Sequence, residues 1–201
     1  DGSTPMGFDV LLGKEIAKRL GLEAEFIDTA WDGIFAGLDT DRYDVVMSAA
    51  TITPERVANY DFSTPYIGNG QAIILRKDST LNITKFEDLA GLKVGYQAET
   101  TSDFYTKKHS AESGFTYVEN AYDKVMNAYD DLKLGRIDAV VSDSLVAVNY
   151  LSVPNTEFKQ VWSAEPDEYF GVCMKKGNTV LQEKVNAILE DMKKDGSLKQ
   201  I

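Results

Sequence analysis

The sequence predicts an α/β fold with largely parallel sheets. Two observations carry the prediction and a third refines it. Helix-period and strand-type segments alternate along the whole chain, with no low-complexity stretch and no long linker. The strand-type segments are short, mostly apolar and bounded by turn residues. The third observation is an internal echo. Arg42-Tyr43-Asp44-Val45-Val46-Met47-Ser48 resembles Arg136-Ile137-Asp138-Ala139-Val140-Val141-Ser142. Each follows a helix and a tight turn, and each ends an apolar strand in small polar residues. Helix–turn–strand units are common enough for coincidence; the other reading is two similar lobes, each offering a strand end to a shared cleft. Loops and helix N-termini gather at the carboxyl ends of parallel strands, where ligands of open α/β sheets bind.

The elements follow in order. Phe8, Leu11, Leu12, Ile16 and Leu20 keep a helical period over residues 8–20, and Gly21 stops it. Residues 23–28 read as a strand with alternating Ala24 and Phe26, and residues 31–38 as a short helix. Residues 44–47 are a short β-branched strand. Thr53-Pro54-Glu55 starts a helix, with Thr as N-cap and Pro in the first turn. Residues 72–76 are a strand, and Thr84-Lys85-Phe86-Glu87 a capping box. Strands at 93–96, 115–118 and 137–141 alternate with helices at 101–110, 122–134 and 143–151. Strands at 158–162 and 169–174 precede a final helix at 179–195, stopped by Gly196.

At 201 residues the chain suffices for one large domain or two small lobes. The formal charge of −11 and a pI near 4.6 argue against nucleic acid or an anionic membrane surface as partner. Cys173 is the only cysteine, so no intrachain disulfide forms, and its apolar run reads as a buried strand. His109 is the only histidine and lies in the polar stretch Lys107-Lys108-His109-Ser110. Cys/His zinc sites and Cys–His dyads therefore have few members to draw on. Asp39, Asp41 and Asp44 lack a calcium-loop spacing, and neither GxGxxG nor GxxxxGK[ST] occurs, so no metal and no nucleotide cofactor is expected. No run of 18 apolar residues spans a membrane. The chain opens at Asp1 rather than Met, which reads as a processed or trimmed product.

Three clusters carry candidate chemistry. Ser48-Ala49-Ala50-Thr51-Ile52-Thr53-Pro54-Glu55-Arg56 follows a strand end and opens a helix. Small residues admit a ligand to the backbone, Thr51 adds a hydroxyl, and Arg56 can fork onto a carboxylate. The alternative is a capped helix with a solvent-facing Arg. Gln97-Ala98-Glu99-Thr100-Thr101-Ser102 is a second strand-to-helix turn rich in hydroxyls, either a donor site or a plain cap. Asp143, in Ser142-Asp143-Ser144, suits a ligand ammonium or merely caps the next helix. Trp31 is either core or a platform that stacks on a ligand.

These pieces, in this order, resemble a known family. Gly7-Phe8-Asp9-Val10, Trp31-Asp32-Gly33, Tyr43-Asp44-Val45, Thr51-Ile52-Thr53-Pro54-Glu55-Arg56 and Asp61-Phe62-Ser63-Thr64-Pro65-Tyr66 are similar to the polar-amino-acid branch of bacterial extracellular solute-binding proteins, which feed ABC importers. Leu89-Ala90-Gly91-Leu92-Lys93-Val94-Gly95, Gly135-Arg136-Ile137-Asp138-Ala139-Val140 and Gly171-Val172 extend the likeness over nearly the whole chain.

The resemblance implies an α/β, two-lobed, periplasmic-binding-protein-like type II fold, its lobes joined by two crossing strands and closing on an amino acid. Residues 1–74 and 174–201 would form lobe one and residues 75–173 lobe two. By resemblance Arg56 would clamp the α-carboxylate, with Thr51 and the Ala49 backbone helping, and Ser48 would line the pocket. Asp143 would hold the α-ammonium. Thr100 and Thr101 would offer donors to the carboxylate, Gln97 would vary with the ligand side chain, and Trp31 would stack on the ligand. The implied partners are a free amino acid, polar or basic, and the membrane subunits of an ABC importer. The implied location is extracytoplasmic, in the periplasm or on the outer face of the membrane as a lipoprotein.

Two departures stand out. The family normally has a further segment before Gly7 that forms the first strand of lobe one, so that strand is expected to be missing here or supplied by a second copy through swapping. Glu99 stands where the family usually has Gly in the second-lobe turn. The same fold serves receptor and sensor input domains. It also serves enzymes such as dehydratases of prephenate-like acids, for which Glu99 and Glu168 are the candidate acids.

Overall fold

The structure, a computed structural model, describes residues 4–201. The chain divides into two compact units. The first is made of Asp1–Thr29, Gly33–Gly68 and Glu168–Ile201, with residues 1–3 outside the described part; the second is made of Ala30–Asp32 and Asn69–Asp167. The division falls at 68/69 and 167/168, not at 74/75 and 173/174 as the sequence reading has it. The reason lies in strand pairing: residues 71–76 belong to the sheet of the second unit, whereas residues 168–175 pair within the first.

In the first unit, helix α1 (Phe8–Arg19) buries Leu12 and Ile16, and α2 is a single turn (Ala36–Asp39). Strand β1 (Val45–Val46) leads to α3 (Pro54–Asn59) and then to β2 (Tyr60–Phe62) and β3 (Ile67–Asn69). After the second unit the chain returns through β9 (Glu168–Phe170), β10 (Cys173–Lys175) and the long helix α7 (Thr179–Asp195). The sheet β1-β10-β2 is antiparallel throughout, and β3 pairs with β9. Val185, Leu189 and Met192 of α7 bury one face. Cys173 of β10 is fully buried, which pushes the pKa of its thiol up to about 12.

The second unit begins with β4 (Gln71–Arg76), followed by a 3₁₀ turn at Phe86–Leu89 and β5 (Lys93–Gln97). Then come α4 (Thr101–Ser113), β6 (Val118–Tyr122), α5 (Val125–Lys133), β7 (Ala139–Asp143), α6 (Ser144–Leu151) and β8 (Phe158–Ser163). The sheet order is β6-β5-β7-β4-β8. Strand β4 reads as an unbroken apolar run because both of its faces are covered. Ile73 and Leu75 join Val94, Tyr96 and Phe86 on one side, and Ala72 and Ile74 join Ala128, Tyr129 and Leu132 on the other.

Several expectations need correction. The sheets are not largely parallel: β5 runs parallel to β6 and β7, but β4 is antiparallel to both β7 and β8. Residues 23–28 form no strand, because no described segment pairs with them; Phe26 and Ile27 are accordingly partly exposed. The run at 169–174 is two strands, broken at Gly171-Val172. The strand expected at 115–118 begins only at Val118, and the capping box is shifted by one residue, with Lys85 at the N-cap and Asp88 at the third helical position. Asp88 accepts from the Thr84 and Lys85 N–H groups at 2.8 and 3.1 Å.

Candidate functional site

The candidate residues divide between the two units. In the first unit, Thr53 caps α3 as its sequence requires: its Oγ1 accepts from the Arg56 N–H at 3.2 Å, and Pro54 occupies the first turn. The cap sets Arg56 one turn into the helix. Its Nη1 donates to the Thr51 carbonyl at 2.9 Å, and its guanidinium lies 5.0 Å from the Phe35 ring centroid. The guanidinium is thus half-buried and oriented. Thr51 is buried and bridges Phe170, while Ser48 is exposed.

Ala49 adopts a left-handed backbone, φ 51°, and its N–H donates to Asp9 Oδ2 at 2.7 Å. The other Asp9 oxygen accepts from the Tyr66 hydroxyl at 2.7 Å. Burial, then the Asp9 charge, raises the Tyr66 phenol well above its ordinary range. The Ala49 backbone, expected to help hold a ligand carboxylate, is therefore engaged by Asp9. Asp9, in Gly7-Phe8-Asp9-Val10, organises this turn and was not among the expected residues.

In the second unit, Asp143 ends β7. It occupies the N-cap position of α6, yet its side chain makes no capping bond. Instead Asp143 Oδ1 accepts from Asn69 Nδ2 and from Gln71 Nε2, each at 2.8 Å. Gln71 is fully buried; its Nε2 also reaches Thr101 Oγ1 at 3.4 Å, and its Oε1 accepts from Ser102 Oγ at 2.7 Å. The network joins the end of β7 to the start of α4. Gly70 permits it, since a Cβ there would lie 2.8 Å from the Ala164 carbonyl. Asn69 and Gln71 escaped the sequence reading, and Ser102 entered it only as the end of the hydroxyl-rich turn. The signal was two amides flanking Gly70 at the head of an apolar strand.

The Gln97–Thr101 turn is built by its own hydroxyls. Thr100 Oγ1 donates to the Gln97 carbonyl at 2.7 Å and accepts from the Asp103 N–H at 3.4 Å. Gln97 Nε2 donates to the Asp123 carbonyl at 2.9 Å. Glu99 keeps the left-handed conformation a glycine would favour, φ 62°, at a cost on the order of 1 kcal/mol. Trp31 groups with this unit together with Ala30 and Asp32, although Thr29 and Gly33 on either side belong to the first. It is half-buried, and its Nε1 donates to the Glu99 carbonyl at 3.1 Å. The first unit thus presents a guanidinium and the second a carboxylate held by two amides. Of the candidate acids for an enzyme, Glu99 is exposed and Glu168 half-buried.

Comparison with known proteins places this geometry in context. The profile of the family described as bacterial extracellular solute-binding proteins, family 3, matches residues 1–201. The L-cystine-binding protein TcyJ of Escherichia coli is 35% identical over 195 residues, 97% of this chain and 72% of that one. An ancestral arginine-binding protein bound to arginine superposes with a TM-score of 0.90 at 41% identity, covering 100% of this chain and 88% of its own. The ancestral amino acid-binding protein AncCDT-1, a precursor of cyclohexadienyl dehydratase, does so with a TM-score of 0.88 at 37% identity, covering 100% and 85%.

Proposed function

The chain belongs to the bacterial extracellular solute-binding proteins, family 3, and from that premise we propose that it captures a polar or basic amino acid outside the cytoplasm for an ABC importer. One observation carries the reading: Asp143 ends its strand without capping α6 and is fixed by Asn69 and Gln71. A carboxylate so held suits an α-ammonium. Arg56, oriented by Thr51 and Phe35, suits the α-carboxylate. One α-amino acid carries both groups. Trp31 supports a ligand with an extended or cationic side chain, in keeping with the cystine and arginine relatives. Ser48, Thr51, Gln97, Thr100 and Thr101 complete the proposed set, and Ala49 contributes through Asp9 rather than directly.

The partners in this reading are the free amino acid and the membrane subunits of the importer, with the protein free in the periplasm or tethered as a lipoprotein. That the segment at residues 23–29 pairs with no strand among the described residues supports a strand supplied by a second copy; light scattering tests this as twice the monomer mass. A thermal-shift screen against the common amino acids, ornithine, citrulline and cystine tests the function. A ligand at 100 times its Kd adds about 2.7 kcal/mol, which for this size raises Tm by about 5–10 °C. Shifts confined to one class of amino acid support capture and name the specificity; silence across the panel contradicts it. The dehydratase reading is favoured only by the likeness to AncCDT-1. Product formed from a prephenate-like acid, followed by absorbance, would replace capture with catalysis.

A further inference from the structure

Asp103 is a carboxylate in the first turn of α4 that the ligand site itself does not use. It is 4% exposed. Its Oδ2 accepts from the Glu99 N–H at 3.0 Å, and its Oδ1 lies 2.8 Å from Lys107 Nζ. Lys107 in turn lies 3.0 Å from Glu119 Oε1 on β6. An ordinary capping acid is solvated and bonds the N–H of the cap residue. Asp103 differs on both counts. It is buried with a counter-ion from its own helix, and it bonds the residue before the cap, Glu99.

That residue has the strained left-handed backbone, and its carbonyl is the acceptor for Trp31 Nε1. The Glu99 residue is therefore held from both sides, its N–H by Asp103 and its carbonyl by the indole. A conformation of this kind persists only where its surroundings fix it. We infer that Asp103, neutralised by Lys107, is a positioning residue that sets the orientation of the Trp31 indole through Glu99. The inference rests on the amino-acid reading only where it extends to affinity. Asp103 makes the turn, the turn presents one carbonyl, and that carbonyl decides where the indole stands. The Lys107 ammonium is the counter-charge of this buried carboxylate, so the pair acts as a unit.

The test uses the indole N–H resonances of the ¹⁵N-labelled chain without ligand, with Trp162, packed 5.3 Å from Phe86, as internal control. In Asp103→Ala the Trp31 N–H is expected to exchange about tenfold faster, the worth of one charge-assisted bond, while Trp162 is unmoved. Asp103→Asn, which keeps an acceptor for Glu99 but loses the ion pair, falls between. Lys107→Met moves Trp31 in the same direction and carries the test should Asp103→Ala fail to fold. L-arginine and L-cystine affinities are expected to fall about tenfold in Asp103→Ala, and that loss is expected to vanish in a Trp31→Phe background.

Unchanged Trp31 exchange in the folded variants overturns the inference. So does an affinity loss of equal size with and without Trp31, which would mark Asp103 as a helix cap alone. Faster Trp31 exchange in a protein that binds neither amino acid leaves the positioning role standing and removes the proposed function.

Discussion

The turn into β1 in the first unit and the turn into β7 in the second are built alike and end unlike. Leu38 and Leu132 are buried at matching places, and Asp41 and Gly135 are both left-handed, φ 53° and 71°. The Arg42 N–H donates to the Gly37 carbonyl and the Arg136 N–H to the Asp131 carbonyl, each five residues back at 2.9 Å. The echo in the sequence is thus an echo in backbone geometry. Beyond it the two diverge. Strand β1 stops after two residues, bends through left-handed Ala49 onto Asp9, and delivers a cation, Arg56, one helical turn later. Strand β7 runs five residues straight into α6 and delivers an anion, Asp143. The turn upstream of each strand is shared; the cation comes from the helix that follows β1 and the anion from the last residue of β7.

The largest expected effect breaks the cationic half. Arg56→Ala should weaken amino-acid binding about 100-fold or more, as for a truncated charge pair. The lost Thr51 and Phe35 contacts should lower Tm by only about 2–4 °C. Calorimetry with a melting curve checks both; binding at wild-type affinity would remove the clamp.

The anionic half should respond selectively. Asp143→Asn should cost amino acids about tenfold or more and deaminated analogues little. Gln71→Leu, which removes a donor to Asp143, should cost about tenfold with Asp143 intact. Equal losses for amino acids and deaminated acids would sink the ammonium role.

A smaller effect tests the shared turn. Gly135→Ala should lose about 1 kcal/mol, since the left-handed backbone suits glycine. Asp41→Gly should be neutral or stabilising by less than about 1 kcal/mol, because its exposed pair with Lys175 is worth little. Denaturant titration of both variants reads the difference, and losses of similar size in both would mean that the two turns are not equivalent.

The smallest effect concerns Cys173. Its folded pKa is raised from 9.0 to about 12, so the folded state holds its proton more tightly. The stability this contributes is complete below pH 9 and is lost as pH rises towards 12. At pH 8 the thiol should resist a disulfide reagent until the first unit opens. Rapid labelling of folded protein would contradict its burial.

What was legible followed from local rules. The period of α1, the Thr53-Pro54 start of α3 and the Gly196 stop of α7 each depend on neighbours in sequence, and each stands. Arg56 and Asp143 are proposed because strand ends in α/β folds collect ligands. Residues 23–28 failed because a strand needs a partner, which no local pattern supplies. Asn69, Gln71 and Asp9 were missed for a related reason. Their value lies in bonds to residues 40 to 74 positions away, so only the fold reveals them. Asp103 stands in the first turn of α4, where acidic residues are common; its burial and its bond to Glu99 set it apart.

In the proposed function one ligand is held at its carboxylate by Arg56 and at its ammonium by Asp143. Calorimetry with L-arginine, agmatine, which lacks the carboxylate, and δ-guanidinovalerate, which lacks the ammonium, tests it most directly. L-arginine should bind, each analogue should bind about 100-fold more weakly, and Asp143→Asn should narrow only the gap to δ-guanidinovalerate. An analogue that binds as tightly as L-arginine would contradict the claim at the end it lacks.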